Sequence, residues 1–180
     1  MRTLVLYESK TGSTKKYAEE IARSVNGDIL PAKKFKEKMI QDYDTFVFGG
    51  WVMGGKIQGL DRFLSFYDEM KEGHDILIFA SGMSIVSKET RDSLISSNIL
   101  DLYHVRFYQL RGSFDYQKLN LVNKILMSNS LRMIDKDPKA SFDQKALLDI
   151  KEHPIEYYDR AGLDRIISVL HKLSAIGGEA

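Results

Sequence analysis

The stretch Thr3-Leu4-Val5-Leu6-Tyr7-Glu8-Ser9-Lys10-Thr11-Gly12-Ser13-Thr14, with the spaced apolar residues Tyr17, Ala18, Ile21, Ala22 and Val25 after it, decides the fold. An apolar run, a hydroxyl-rich turn with one glycine and a helical stripe predict strand, tight loop and helix in direct succession. That order aims a helix N-terminus, with its free N–H groups and positive dipole end, at whatever occupies the turn. Ser9, Thr11, Ser13 and Thr14 can add hydrogen bonds to an anion, and Gly12 lets the backbone approach it closely. Lys15 and Lys16 fall in the first helical turn, where the dipole disfavours cations unless an anion lies in front. An ordinary capped turn with solvated lysines would use the same residues.

Further along, Gly27 fits a helix stop. Asp28-Ile29-Leu30-Pro31-Ala32 reads as a short second strand, at a sheet edge because of its proline. Lys33, Lys34, Lys36 and Lys38 read as a solvated face. Thr45-Phe46-Val47-Phe48 is apolar on both faces, as in a buried parallel strand. It runs into Gly49-Gly50-Trp51-Val52-Met53-Gly54-Gly55-Lys56-Ile57, which reads as an irregular loop able to cover a flat ligand. Leu60-Phe63-Leu64-Tyr67 has helical spacing, closed by Gly73. Asp75-Ile76-Leu77-Ile78-Phe79-Ala80 reads as a strand ending in the small-residue loop Ser81-Gly82-Met83-Ser84. A helix from about Lys88 to Ile95 and a last strand, Val105–Leu110, complete five alternations of strand and helix.

Such alternation predicts an α/β three-layer sandwich around a five-stranded parallel sheet of order 2-1-3-4-5. In that order the loops after strands one, three and four converge at the switch point, where these sheets bind ligands. Beyond the last strand, an extra segment of about 112–158 contains a helix suggested by Leu119, Val122, Ile125, Leu126 and Met133. A polar, mixed stretch from Phe142 to Tyr158 follows. A final helix buries Leu163, Ile166, Ile167, Leu170 and Leu173, and Gly177-Gly178 reads as a loose tail. The whole of 1–180 reads as one domain.

Composition narrows the chemistry. The chain is 43% hydrophobic and 28% charged with a formal net charge of +1, so no overall field favours nucleic acid. It has no cysteine, which excludes disulfides, thiolate metal sites and a cysteine nucleophile and suits a reducing cytoplasm. Its four histidines, His74, His104, His153 and His171, lack ligand spacing, and no metal site is expected. No apolar run approaches the ~20 residues that span a bilayer. A cytoplasmic protein is expected, with peripheral membrane contact and oligomeric state left open. The first loop lacks the spacing of a P-loop, no predicted strand is followed by Gly-x-Gly-x-x-Gly, and the acidic positions of a phosphorelay receiver hold Tyr7-Glu8 and Gly49-Gly50.

Ser9-x-Thr11-Gly12-x-Thr14 resembles the FMN phosphate loop of flavodoxins. The Gly-Gly-Trp loop and Ser81-Gly82-Met83 resemble the two stretches that hold the flavin ring. Leu110-Arg111-Gly112-Ser113-Phe114-Asp115-Tyr116 and the helix after it resemble the flavodoxin-type bacterial protoporphyrinogen oxidases. The resemblance implies FMN as cofactor, with Ser9, Lys10, Thr11, Gly12, Ser13 and Thr14 around the phosphate. Gly50, Trp51, Val52, Met53 and Gly54 would flank the ring, Ser81, Gly82 and Met83 would close its other edge, and Phe114 and Asp115 would line the substrate side. It implies an oxidoreductase acting on a porphyrinogen or quinone. The alternatives are an electron carrier docking on a redox partner protein, an NAD(P)H:quinone reductase-like flavoprotein, or a module with a vestigial site. Neutral net charge, with Lys56 and Arg111 beside the ring loops, leads us to expect a less negative potential than in an acidic shuttle. No side chain stands out as a dedicated acid or base, as expected where a flavin carries the electrons.

Overall fold

In a computed structural model that describes residues 1–140, 145 and 147–177, the apolar runs become adjacent strands of one sheet. They are β1 (Thr3–Glu8), β2 (Asp28–Pro31), β3 (Thr45–Met53), β5 (Asp75–Gly82) and β6 (Arg106–Phe114), mutually parallel in the order β2-β1-β3-β5-β6. This is the order read from the sequence. Two further strands extend it: β4 (Lys56–Ile57) folds back on the end of β3, and β7 (Ile155–Tyr158) runs antiparallel against the end of β6. Pro31 sits on the β2 edge opposite Tyr7, where its missing N–H costs no ladder bond.

Alternation along the strands feeds two cores. Leu4, Leu6, Phe46, Phe48, Ile76 and Ile78 face one side, under α2 (Leu60–Leu64), α3 (Tyr67–Met70) and α4 (Lys88–Ser97). Val5, Val47, Leu77 and Phe79 face the other, under α1 (Ser13–Ser24) and α6 (Arg160–Gly177). Tyr17, Ala18, Ile21 and Ala22 give α1 its buried stripe, and Leu163, Ile166 and Leu170 give α6 the same. Truncating one such residue, Ile21→Ala for example, costs about 2–5 kcal/mol on general grounds.

Several expectations need correction. Gly49–Ile57 is not an irregular loop. β3 continues through Gly49 and Gly50 to Met53, and Gly54-Gly55, at φ +56° and +76°, makes a two-residue hairpin turn into β4. The helix expected over Leu60–Tyr67 is broken at Ser65-Phe66, where Phe66 packs edge-on against Phe35 at 5.0 Å. At the end of α1 the left-handed residue is Asn26 (φ 50°). The Gly27 N–H closes the turn on the Ala22 carbonyl at 2.8 Å, and a Cβ on Gly27 would lie 2.8 Å from the Thr3 carbonyl oxygen.

The extra segment begins with α5 (Leu121–Lys136), but its apolar stripe faces the other way from the one expected. Leu131 is buried with Phe114, Leu119 and Ile150, whereas Val122, Ile125, Leu126 and Met133 are exposed. The stretch read as polar and mixed ends in β7, and its start, Phe142, lies outside the described residues, as does Gly178.

Candidate functional site

Four chain segments meet at the carboxyl end of the sheet. Thr11, Ser13 and Thr14 come from the turn after β1, Trp51 and Val52 from the end of β3, and Ser81, Gly82 and Met83 from the end of β5. Gly112, Ser113 and Phe114 come from the end of β6, and the cleft between them measures about 30 Å³. The three loops picked out in the sequence therefore face one point. Gly112 and Ser113 had not been assigned to it. Their signal was a glycine at a strand end, where a Cβ would lie 2.6 Å from Ser13 Oγ.

The turn after β1 has the features of an anion cradle. Gly12, at φ +100°, precedes α1 and supplies no capping side chain, and the first turn has no acidic residue. A Cβ on Gly12 would meet nothing within 4 Å, so the helix N-terminus opens onto free space. Ser9 Oγ is buried and has no hydrogen-bond partner among the described residues. A buried unpaired hydroxyl costs about 1–3 kcal/mol, a penalty that a ligand oxygen would remove.

The other hydroxyls divide by task. Ser13 Oγ accepts from the Ser113 N–H at 3.1 Å, and the Thr14 and Ser81 hydroxyls share a buried bond of 2.7 Å. These two tie α1 to β6 and β5 and fix the loop's position. Thr11 borders the cleft without a side-chain bond among the described residues. Lys10 is exposed. Lys15 pairs with Glu19 at 3.4 Å and Lys16 lies 4.6 Å over the Tyr158 ring, so neither lysine of the first turn depends on an anion.

On the other side of the cleft, Trp51, Val52 and Met83 are partly buried, and Gly82 lets β5 approach Val52, 3.2 Å from where its Cβ would be. Arg111 holds the Met83 loop: its Nε donates to the Met83 carbonyl at 3.2 Å, and its guanidinium lies 4.7 Å over Tyr157. Gly50, Met53 and Gly54 do not line the cleft. Gly50 is inside the sheet opposite Glu8 and Ala80, and Met53 and Gly54 belong to the hairpin. Asp115 lies just outside, capping the Gln117 N–H at 2.9 Å and pairing with Lys118 at 3.5 Å. Lys56 Nζ donates to the Ser97 carbonyl at 2.5 Å, away from the cleft.

Beneath the cleft, the Tyr17 hydroxyl donates to the Arg111 carbonyl and accepts from the Asp159 N–H, each at 2.5 Å. Burial pushes its pKa up to about 12, partly opposed by the Asp159 N–H. Tyr158, stacked on Tyr17 at 5.0 Å, is also shifted upward, first by burial and then by its hydrogen bond to Glu20. Among the described residues no group of three acidic or histidine side chains could hold a metal ion, and no helix is long and apolar enough to cross a membrane.

A parallel five-strand core with this strand order and a hydroxyl-lined cleft at its switch point defines a flavodoxin-like α/β protein. The flavodoxin domain family matches residues 4–141, and the chain belongs to that family. An uncharacterized protein of Methanocaldococcus jannaschii is 31% identical over 123 residues, spanning 63% of this chain and 81% of that protein. Among solved structures, a flavodoxin from the domain Archaea is 16% identical, covers 84% of this chain and 97% of its own, and superposes with a TM-score of 0.47. Oxidised flavodoxin 1 from Bacillus cereus is 17% identical over 71% of this chain and 94% of its own, with a TM-score of 0.44. Both scores fall below 0.5, so membership rests on the family match.

Proposed function

We propose that the chain is an FMN-binding redox flavoprotein. The observation that carries this reading is the turn after β1. There an uncapped helix N-terminus, a glycine facing open space and a buried, unpartnered Ser9 hydroxyl lie within four residues of each other, which suits a phosphate monoester. Ser9, Thr11 and the N–H groups opening α1 would hold the phosphate, with Ser13 and Thr14 fixing the loop. Trp51 and Val52 would border the ring on one side and Gly82 and Met83 on the other. Both large flanking side chains, Trp51 and Met83, are only partly buried, and this reading requires them to part, because a cleft of about 30 Å³ is too narrow for a flavin ring. Bound FMN supplies the electron transfer, and the chain supplies anchoring, orientation and local charge.

Titrating the purified protein with FMN and following flavin fluorescence tests this. Ser9→Ala combined with Thr11→Ala should weaken binding at least tenfold, since a hydrogen bond to a charged group contributes about 1.5–3 kcal/mol. Equal affinity would remove the phosphate assignment, and no binding by the wild type would remove the flavin.

One observation favours an oxidase over a carrier that turns nothing over. The segment after β6 packs on the cleft through Met83 and Phe114, and a hollow of about 510 Å³ opens beside it, lined by Thr11, Lys16, Phe114 and Lys118. A carrier needs no such annex. The flavodoxin-type protoporphyrinogen oxidases, which the sequence resembles here, suggest the assay. Mixing the FMN-loaded protein anaerobically with protoporphyrinogen and a menaquinone analogue should raise porphyrin fluorescence. A flat trace removes the porphyrinogen-oxidase reading and favours the carrier.

A further inference from the structure

We propose that the open edge of β6 is a docking groove for an extended, acidic segment of a partner protein, which joins the sheet as an added strand. Among the described residues β7 pairs with β6 only at Gly112 and Phe114, so Arg106–Leu110 has a strand neighbour there, β5, on one side alone. Such an edge presents unpaired N–H and C=O groups. Here it floors a groove of about 760 Å³, walled by α4, by the start of α6 and by Tyr157.

Four arginines line this groove: Arg91, Arg106, Arg111 and Arg165. Arg106 pairs with Asp75 at 2.6 Å, and Arg91 lies 3.9 Å from Asp92. The guanidinium groups of Arg111 and Arg165 have no carboxylate within 4.0 Å among the described residues. The acidic residue in the lining, Asp159, is already engaged, accepting from the Gly162 N–H at 2.9 Å and facing the Arg111 N–H at 3.5 Å. The groove is therefore cationic in a protein whose formal net charge is only +1.

The arrangement of the charges selects the occupant. At ~3.3 Å per residue, Arg106 and Arg111 stand about 16 Å apart along the strand. Cations spread over that length do not converge on a single phosphate. A second copy of this chain, paired edge to edge, would bring two sets of arginines together, and like charges across a strand pair oppose association. Arg106 and Arg111, five positions apart, point to opposite faces of the strand, with Arg91 on the Arg111 side and Arg165 on the Arg106 side. An extended segment carrying carboxylates on both its faces therefore meets the arginines with its side chains and the open edge with its backbone. Ile85 and Val86, exposed at the rim, offer apolar contact to the residues between. Because Arg111 also holds the Met83 carbonyl, a segment docked here would lie against the loop that borders the cleft. The docking itself does not depend on the flavin reading.

The test is fluorescence anisotropy of a labelled eight-residue peptide of paired glutamates and paired valines (Glu-Glu-Val-Val, twice), which places carboxylates on both faces of a strand, added to the full chain at low salt. Saturable binding is expected, weakened at least tenfold by Arg91→Glu with Arg165→Glu, two surface changes that should leave the melting temperature unchanged. The same peptide methylated on every backbone nitrogen keeps its charges and should lose binding to a similar degree. Undiminished binding of the methylated peptide would overturn strand addition and leave a simple cationic patch. Tripolyphosphate binding at matched charge as tightly as the peptide would make this a small-anion site instead. Dimerisation of the protein alone, abolished by the double substitution, would assign the edge to a second copy. No binding at all would mean that the arginines only guard the edge against self-pairing. The readout needs no electron transfer, so failure here and failure of the FMN titration are separate results.

Discussion

The turn that leaves β1 and the strand β3 beside it both carry glycine, yet the glycines answer to different physics. Gly12, at φ +100° with nothing within 4 Å of a would-be Cβ, keeps a helix end open. Gly49 and Gly50 are strand residues whose missing side chains are replaced by neighbours. A Cβ on Gly49 would lie 2.1 Å from Phe79 Cζ, and one on Gly50 would lie 2.5 Å from Ile57 Cγ2 and 2.7 Å from the Gln58 carbonyl oxygen. The turn is shaped around access and the strand around packing. Glycine in a sequence therefore does not by itself mark a ligand loop.

A pair of substitutions exposes the contrast. Gly49→Ala should cost the most stability, about 1–3 kcal/mol, because overpacking must displace a fully buried phenylalanine. Gly12→Ala should cost about 1–2 kcal/mol through left-handed strain alone, with no clash to resolve. Flavin affinity, measured on folded protein well below each midpoint, should reverse the order and fall further for Gly12→Ala. Thermal melts and FMN titrations of the two variants check both rankings. If Gly49→Ala melts like the wild type, the packing account of β3 fails.

The same contrast explains what could be read from the chain. The strand order was legible because Leu4, Leu6, Phe46, Phe48, Ile76 and Ile78 alternate with Val5, Val47 and Leu77, a pattern that only a sheet covered on both faces requires. The hairpin at Gly54-Gly55 was misread because β-propensity counts Gly49 and Gly50 against a strand, while the partner that fills their space, Phe79, is thirty residues away in Gly49's case. Ser9 stood out as a hydroxyl, but its burial without a partner is a tertiary fact. The division of labour in Ser9–Thr14 was likewise invisible, since Ser13 and Thr14 find their partners on β6 and β5. The exposed face of α5 shows the limit of periodicity. Val122, Ile125, Leu126 and Met133 form a reasonable stripe, but the buried side of the helix is the one carrying Met127 and Leu131.

A smaller effect separates the two turns by pH. The turn after β1 leads into a helix anchored by the Tyr17 hydroxyl, whereas the β3–β4 hairpin is held by the Asn98 amide, which accepts from the Ile57 N–H and donates to the Gly55 carbonyl, each at 2.9 Å. Tyr17 titrates at about 12 in the fold against 10.0 for an ordinary tyrosine, because burial disfavours the phenolate. Its contribution to stability is complete below pH 10, declines once the unfolded chain begins to lose the proton, and is gone as pH rises through about 12. The upward shift of Tyr158 acts in the same direction. Tyr17→Phe should lower stability at neutral pH by about 1–3 kcal/mol, since the Asp159 N–H and Arg111 carbonyl lose their shared partner. It should also flatten the alkaline decline, because the phenyl ring has no proton to lose. Denaturant melts of both proteins from about pH 8 to 12 would show the curves converging as the tyrosine ionises. Parallel curves over that range would mean that the hydroxyl is not what anchors α1 to β6.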